Sequence, residues 1–270
     1  MAQRFVSFPS WDHEIDISGL LDGDGGKLLH EYANIELEDM EHHVKIIARK
    51  GWDILRYPCF QKFLFLHLDL SRSPVYNRIL KEIQAGNLFL DLGCGLGQDI
   101  RRLVQDGAPA EHLIGLDLER DYINLGFELF NDQQKLRSVF LAQDFAEDTP
   151  EISRLAKRIK IINSGYFMHL WNWEKQLNAA KRMIQLVLPG SGSIICGVHF
   201  GSQSAGMWKN VPPGFEEMFL HNRESLSKLW NQAEKETKTS WKFECVEEDD
   251  EYCRDLDPEG CRLRWIAEQE

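Results

Sequence analysis

From Leu88 onward, short apolar runs alternate with amphipathic stretches, and this alternation sets the elements. Apolar runs bounded by turn formers predict strands over 88–92, 113–117, 138–142, 159–163 and 193–199. The stretches between them predict helices over 97–106, 120–130, 151–157 and 174–188. The last is stopped by the Leu-Pro-Gly-Ser-Gly run at 188–192. Strand and helix in alternation are the pattern of an open parallel sheet covered by helices, an α/β architecture. Beyond Gly201 the pattern changes. Residues 201–214 read as a loop long enough to carry function, and Asn222 caps a helix over 223–235. Two β-like runs follow, 241–246 and 262–266, separated by an acidic turn region over 247–257, within which the run 247–251 reads as a solvated turn. Paired as a hairpin on the sheet edge, they bring the count to seven strands, with the last inserted antiparallel.

The first 85 residues stand outside this alternation. Residues 38–55 and 60–68 have helical spacing, and Ser73-Pro74 starts another helix that runs to Gln84. A helical cap over 1–85, packed on the ligand edge of an α/β unit over 86–270, is the simplest organisation. A separate helical domain is the alternative, but no flexible linker precedes Asn87.

Composition narrows the class. At 270 residues the chain can bury one large core, with or without a small cap, and 43% hydrophobic with 27% charged residues is ordinary for a globular protein. No apolar run is long enough to span a bilayer, since the most apolar stretch, 63–70, is broken by His67 and Asp69. The N-terminus lacks an apolar block followed by small residues, which argues against secretion. A net charge of −12 argues against a nucleic-acid surface, because phosphate neutralisation needs clustered Lys and Arg. Six cysteines without a CxxC pair argue against zinc and a disulfide framework, and for a reducing, cytoplasmic setting.

The candidate chemistry begins in Leu-Phe-Leu-Asp-Leu-Gly-Cys-Gly-Leu-Gly over 88–97. A buried strand ends in an acid, Asp91, and turns through Gly93, Gly95 and Gly97 toward a helix. Such a turn brings bare backbone against a ligand. Nicotinamide-binding folds share the glycine-rich turn, but their fingerprint would put its third glycine at Gln98, and an acid before the loop suits a cation better than a pyrophosphate. Two further acids, Asp117 and Asp144, end the next two strands. Carboxyl ends of neighbouring parallel strands converge on one crevice. There Asp117 can accept from ribose hydroxyls, and Asp144 can meet an adenine amino group with Phe145 beside the ring. Each acid taken singly can instead be a helix cap. The three together point to S-adenosylmethionine, bound along Asp91, Gly93, Gly95, Gly97, Gln98, Asp117, Asp144, Phe145 and Asn163.

The fourth strand end runs Asn163 to Trp173, beside the place where a methyl acceptor would approach. His169 there can take a proton from an acceptor hydroxyl, or can be a packed core histidine. Tyr166, Phe167, Trp171 and Trp173 can line an acceptor pocket or fill the strand–helix junction. His199, at the end of the fifth strand, is a secondary pocket candidate, while His42-His43 lacks a third ligand and reads as a polar helix face.

The residues match more than a fold class. Tyr57-Pro58-Cys59, the run from Phe89 to Arg101, Gly115-Leu-Asp117, Leu125-Gly-Phe-Glu-Leu-Phe130, Phe167-Met-His169-Leu170, and Asn222-Arg-Glu-Ser-Leu with Trp230 and Trp241 resemble the fungal methyltransferases of meroterpenoid biosynthesis. The resemblance covers nearly the whole chain from about Glu31. It implies a class I, Rossmann-like methyltransferase fold of seven strands. The implied activity is methylation of a small terpenoid–polyketide acceptor, several relatives esterifying a carboxylate, with homodimers expected. It adds Leu118 to the cofactor positions, beside Asp117, and Tyr57 to the acceptor pocket. Related sequences methylate different acceptors, so N- and C-methylation stay open. A nicotinamide oxidoreductase and a non-catalytic partner protein are the rivals from other classes.

Overall fold

The computed structural model describes residues 15–190, 192–211 and 216–270. Its first five helices are α1 (Ser18–Leu21), α2 (Asp24–Glu31), α3 (Leu37–Ile54), α4 (Pro58–Gln61) and α5 (Tyr76–Gln84). In α3, Met40, Val44, Ile47, Ala48, Gly51 and Trp52 recur on one stripe and are buried. A Cβ on Gly51 would come within 2.2 Å of the Phe60 ring, so this glycine permits α3 and α4 to touch. The stripe packs with Tyr122, Leu125, Leu129 and Phe130 in one apolar cluster.

The α/β region follows as β1 (Leu88–Leu92), α6 (Gln98–Gln105), β2 (Leu113–Asp117), α7 (Arg120–Phe130), β3 (Val139–Ala142), α8 (Pro150–Ser153), β4 (Ile159–Gly165), α9 (Trp173–Leu186) and β5 (Ile194–Ser202). Beyond β5 come β6 (Gly206–Met207), β7 (Phe219–Leu220), α10 (Arg223–Thr237), β8 (Trp241–Glu248), α11 (Glu251–Leu256) and β9 (Gly260–Gln269). Seven strands form one sheet in the order β3-β2-β1-β4-β5-β9-β8, while β6 and β7 make a separate ribbon. The strands from β3 to β5 are parallel, and β9 lies antiparallel between β5 and β8. Asp91 pairs in register with Gly115 on one side and Asn163 on the other, which brings three strand ends to one edge.

The sheet matches the sequence expectation, while several connections differ. Residues 60–68 are not one helix, because Phe63 and Leu68 adopt left-handed backbone (φ 52° and 47°) and break the segment into α4 and short 3-10 turns. The expected helix over 151–157 closes after one turn, capped by Thr149. The acidic stretch is not a turn throughout, although Glu247, Asp249 and Glu251 are exposed as expected. Glu247 and Glu248 lie in β8 opposite Leu263 and Arg262, and Asp250 caps α11 through the Cys253 N–H at 2.9 Å. Two arginines on β9 account for this: buried Arg262 pairs with Asp250 and Asp69, and half-buried Arg264 with Glu248. Part of the expected loop over 201–214 is ordered as the end of β5 and as β6, while 212–214 lie outside the described residues.

Candidate functional site

A cavity of about 910 Å³ opens where β1, β2 and β4 end. Its glycine wall is set by backbone geometry. Gly93, Gly95 and Gly97 hold φ of 67°, 53° and 68°, a region L side chains resist. The N–H groups of Gly93 and Cys94 donate to the Leu116 carbonyl at 2.8 and 3.1 Å, and the Gly95 N–H donates to Asp117 Oδ2 at 2.8 Å. Gly93 and Gly95 line the cavity, whereas Gly97 does not; it precedes α6 and packs against Arg101 and Phe140. Arg101 braces this loop from behind. Its guanidinium donates to the carbonyls of Leu96 (2.8 Å) and Gly97 (3.3 Å), and makes two bonds to Asp132 at 2.9 and 3.0 Å.

The acids occupy distinct environments. Asp91 is buried and accepts from Asn163 Nδ2 at 2.8 Å. Burial pushes its carboxyl up to about 7; the Asn163 bond opposes the shift and neighbouring Asp117 adds to it. Asp117 is also raised by burial, against the N–H groups of Glu119 and Gly95 that favour its charged form. Asp144 is exposed and takes the Ala146 N–H at 2.8 Å in a local turn. Phe145 is buried beside it, edge-on to Phe167 at 5.9 Å. Gln98, Leu118 and Asn163 complete the expected cofactor set on the cavity wall, with Leu118 at an exposed rim.

Sequence reasoning missed Asp99. It sits in the first turn of α6, lines the cavity, and is 8% exposed with Oδ1 lacking any partner. Burial first, then Asp91 and Asp69, raises its carboxyl well above the ordinary range. The signal in the chain was an acid two residues past the glycine turn, on the helix face that meets the strand ends. Gln98 Oε1 is likewise buried without a partner. Asp91, Asp99 and Asp117, clustered and largely buried with no ion pair among the described residues, suit a positively charged ligand, so the residues fit S-adenosylmethionine.

The far side of the cavity is aromatic. Tyr57, Tyr166, Phe167, His169 and Trp171 line it, joined by Phe200 and by Trp208 and Tyr252, which the sequence did not flag. Trp208 Nε1 donates to Asp257 at 2.9 Å, tying the β6–β7 ribbon to the end of α11. Tyr166 holds a left-handed φ of 49°, and its hydroxyl accepts from Arg262 Nε at 2.9 Å. The Tyr166 ring stands edge-on to His169 at 5.9 Å. Burial alone drives the His169 imidazole down to about 3, so it is neutral at physiological pH. Trp173 packs against Phe219 and His221 and is absent from the lining. His199 is fully buried and also absent from the lining. His43 bonds the Leu129 carbonyl at 3.0 Å. Among the described residues no cluster of His, Cys, Asp and Glu could hold a metal, and no helix is long and apolar enough to cross a membrane.

Two family models match the chain: a meroterpenoid methyltransferase N-terminal domain over residues 11–66, and a methyltransferase domain over 89–190. The chain is 37% identical over 232 residues to the O-methyltransferase phiE of a fungus (Fungal sp.), covering 85% of this chain and 77% of that one. It is 35% identical over 229 residues to the asnovolin E/chermesin D methyltransferase nvfJ of Aspergillus novofumigatus, covering 84% and 82%. Among solved structures, a methyltransferase of Methanosarcina mazei superposes with a TM-score of 0.53 at 15% identity, over 73% of this chain and 97% of that one. The 1,6-didemethyltoxoflavin N1-methyltransferase of Burkholderia thailandensis, solved with S-adenosylhomocysteine, superposes at 0.50 and 15% identity, over 71% and 75%.

Proposed function

The chain belongs to the fungal meroterpenoid methyltransferases and works with S-adenosylmethionine, and from that footing we propose that it methylates a hydroxyl oxygen of a small terpenoid–polyketide intermediate. The oxidoreductase and non-catalytic readings give way with it. When bound, the cofactor supplies a methyl group already activated by a sulfonium. The chain's own residues then align, shelter and deprotonate. Asp91 and Asp99 would hold the cationic end, Asp117 the ribose, and Phe145 with Asp144 the base. Phe167, Tyr166 and Trp171 keep water from the reacting side.

One observation favours a hydroxyl over a carboxylate. The three cations that line the cavity among the described residues each have an acid partner: Lys175 with Glu216, Lys181 with Glu236 and Arg182 with Asp148. Each therefore already faces a carboxylate, and the one buried donor left over among them, Arg182 Nε, belongs to a guanidinium that lies over the Phe145 ring rather than against the His169 wall. Neutral His169 stands on the same wall, able to accept a proton from a hydroxyl. The test is mass spectrometry of small phenols and carboxylic acids incubated with the protein and S-adenosylmethionine, with any added methyl then located by NMR. His169→Gln should lower turnover of a hydroxyl acceptor by about 10²–10⁴-fold. Turnover near wild type would point to a carboxylate, which needs no base.

The resemblance also supports a cytoplasmic homodimer, which light scattering on the purified chain tests. We further propose that the N-terminal segment expected over 1–85, of which 15–85 are described, acts as a cap on the acceptor side. Tyr57, Phe60 and Phe65, all from this segment, line the cavity.

A further inference from the structure

Behind His169 the fold buries two more histidines in a row. The His199 ring on β5 lies 6.2 Å from that of His169, and the His221 ring, just ahead of α10, lies 6.4 Å from that of His199. Neither His199 nor His221 reaches solvent appreciably. His169 Nδ1, both ring nitrogens of His199 and His221 Nε2 have no protein partner. Strand register puts Ser164 and Trp265 on the same sheet face as His199, and Ser164 Oγ and Trp265 Nε1 are unpartnered too.

Native folds rarely leave buried polar atoms unsatisfied, and a cluster of them marks internal water. The ring separations are too long for a direct bond between imidazoles and suit one bridging water each. At the outer end, His221 Nδ1 bonds Ser225 Oγ at 2.9 Å. That hydroxyl also accepts from the Asn222 N–H at 3.0 Å, beside exposed Arg223 and Glu224. The series therefore runs from the acceptor wall to the surface.

We propose that His169, His199 and His221, linked by buried water, form a proton-exit chain from the methyl-acceptor site to the start of α10, with His199 and His221 as positioning residues that act through His169. Its purpose rests on the hydroxyl reading above. Methylating a hydroxyl breaks its O–H bond as the oxygen–carbon bond forms and the sulfur–carbon bond breaks, with the bonding pair staying on sulfur. The proton goes to a His169 nitrogen, and one leaves the other nitrogen of the ring through water to His199 and on to His221. Burial keeps all three rings neutral, each with one donor and one acceptor nitrogen, so they hand a proton on without retaining it.

Long-range 1H–15N spectra of the full chain, labelled with 15N-histidine and saturated with S-adenosylhomocysteine, test the chain without any acceptor. Each of the three rings is expected in a single neutral tautomer, and His199→Phe should change the tautomer ratio of both His169 and His221. Unchanged His169 and His221 signals in a folded His199→Phe protein overturn the proposal. If that variant does not fold, His221→Asn reads the same coupling from the outer end, and an unaltered His169 ring overturns it equally. With a hydroxyl acceptor, His221→Asn should lower kcat about tenfold or more at constant KM and change the solvent deuterium isotope effect. Tautomer coupling with an unchanged kcat and isotope effect in His221→Asn overturns the proton-exit role, whereas failure of the protein to methylate any hydroxyl acceptor overturns the hydroxyl reading instead.

Discussion

Replacing Arg101 by Met should separate what braces the glycine loop from what binds the ligand. The Arg101 side chain is fully buried, and that of its partner Asp132 is 3% exposed, so neither charge is screened by water. The guanidinium makes two bonds to the carboxylate and lies 4.9–5.2 Å from the ring centres of Phe127, Phe130 and Phe140. Removing one partner of a buried pair strands the other charge, at a cost of about 3–5 kcal/mol. At roughly 2–4 °C per kcal/mol for a domain of this size, the melting temperature should fall by about 6–20 °C. Differential scanning calorimetry and urea unfolding read that loss. Adding Asp132→Asn removes the stranded charge and keeps an acceptor for the Tyr32 hydroxyl, which bonds Asp132 at 2.8 Å. Most of the stability should return. The bonds from Arg101 to the Leu96 and Gly97 carbonyls do not, so S-adenosylhomocysteine should bind the double variant more weakly than wild type by calorimetric titration. A single variant losing less than about 1 kcal/mol, the range of exposed pairs, would refute the reasoning. So would a double variant as unstable as the single.

Gly93→Ala should cost cofactor affinity with a smaller loss of stability, since its Cβ would sit 2.6 Å from Phe167 at a φ of 67°; equal affinity in calorimetric titration would show that the loop need not be tight. Asp91 gives a pH dependence. Its folded value of about 7 lies above the ordinary carboxylate value of about 4, so the ligand-free fold should lose stability as pH rises from about 4 to about 7 and level off above that. Affinity for the cationic cofactor should climb over the approach to pH 7 as the carboxylate ionises, and Asp91→Asn should flatten both curves; a titration series insensitive to the substitution would remove Asp91 from the cationic end.

The sheet was legible because each strand is a short apolar run closed by turn residues, and because strand ends are where acids stand out. Boundaries moved where pairing partners extended a strand, as β9 does by carrying β5 through Ser202. The elements that escaped lack a local signal. In α2, the Asp-Gly-Gly-Lys start suppresses helix propensity, and the helix forms because Leu28 and Leu29 are buried in the α3 cluster. In α11, acids read as solvated, yet Asp250 answers Arg262 across the chain. The same limit governed the site. Asp91, Asp117 and Phe145 follow from position in a parallel sheet, whereas Asp99 requires knowing which side of α6 turns inward. His199 sits at a strand end and so looked like a pocket residue, but pleat alternation turned it to the face packed on Trp265.

The distribution of charge around the cavity carries a consequence for rate. Buried acids stand on β1, β2 and α6, at the glycine-loop side: Asp91, Asp117 and Asp99. Groups after β4 and on β5 and α11, where the acceptor would lie, are rings: Tyr166, Phe167, His169, Phe200 and Tyr252. Asp69, an acid on that wall, is met by Arg262 at 3.1 Å and Arg264 at 3.6 Å, and Arg262 in turn holds Tyr166, while Glu216, which also lines the cavity, pairs with Lys175. Positive charge disappears from sulfur as the methyl group moves, so an unpaired carboxylate close to the reacting carbon would stabilise the reactants more than the transition state and slow the step. Acids confined to the remote parts of the cofactor would bind it without that penalty. On the proposed function, the arginine pair on Asp69 and the neutral histidine at the acceptor wall would serve one electrostatic end: affinity from the acidic side of the cavity, with no unpaired carboxylate beside the reacting carbon.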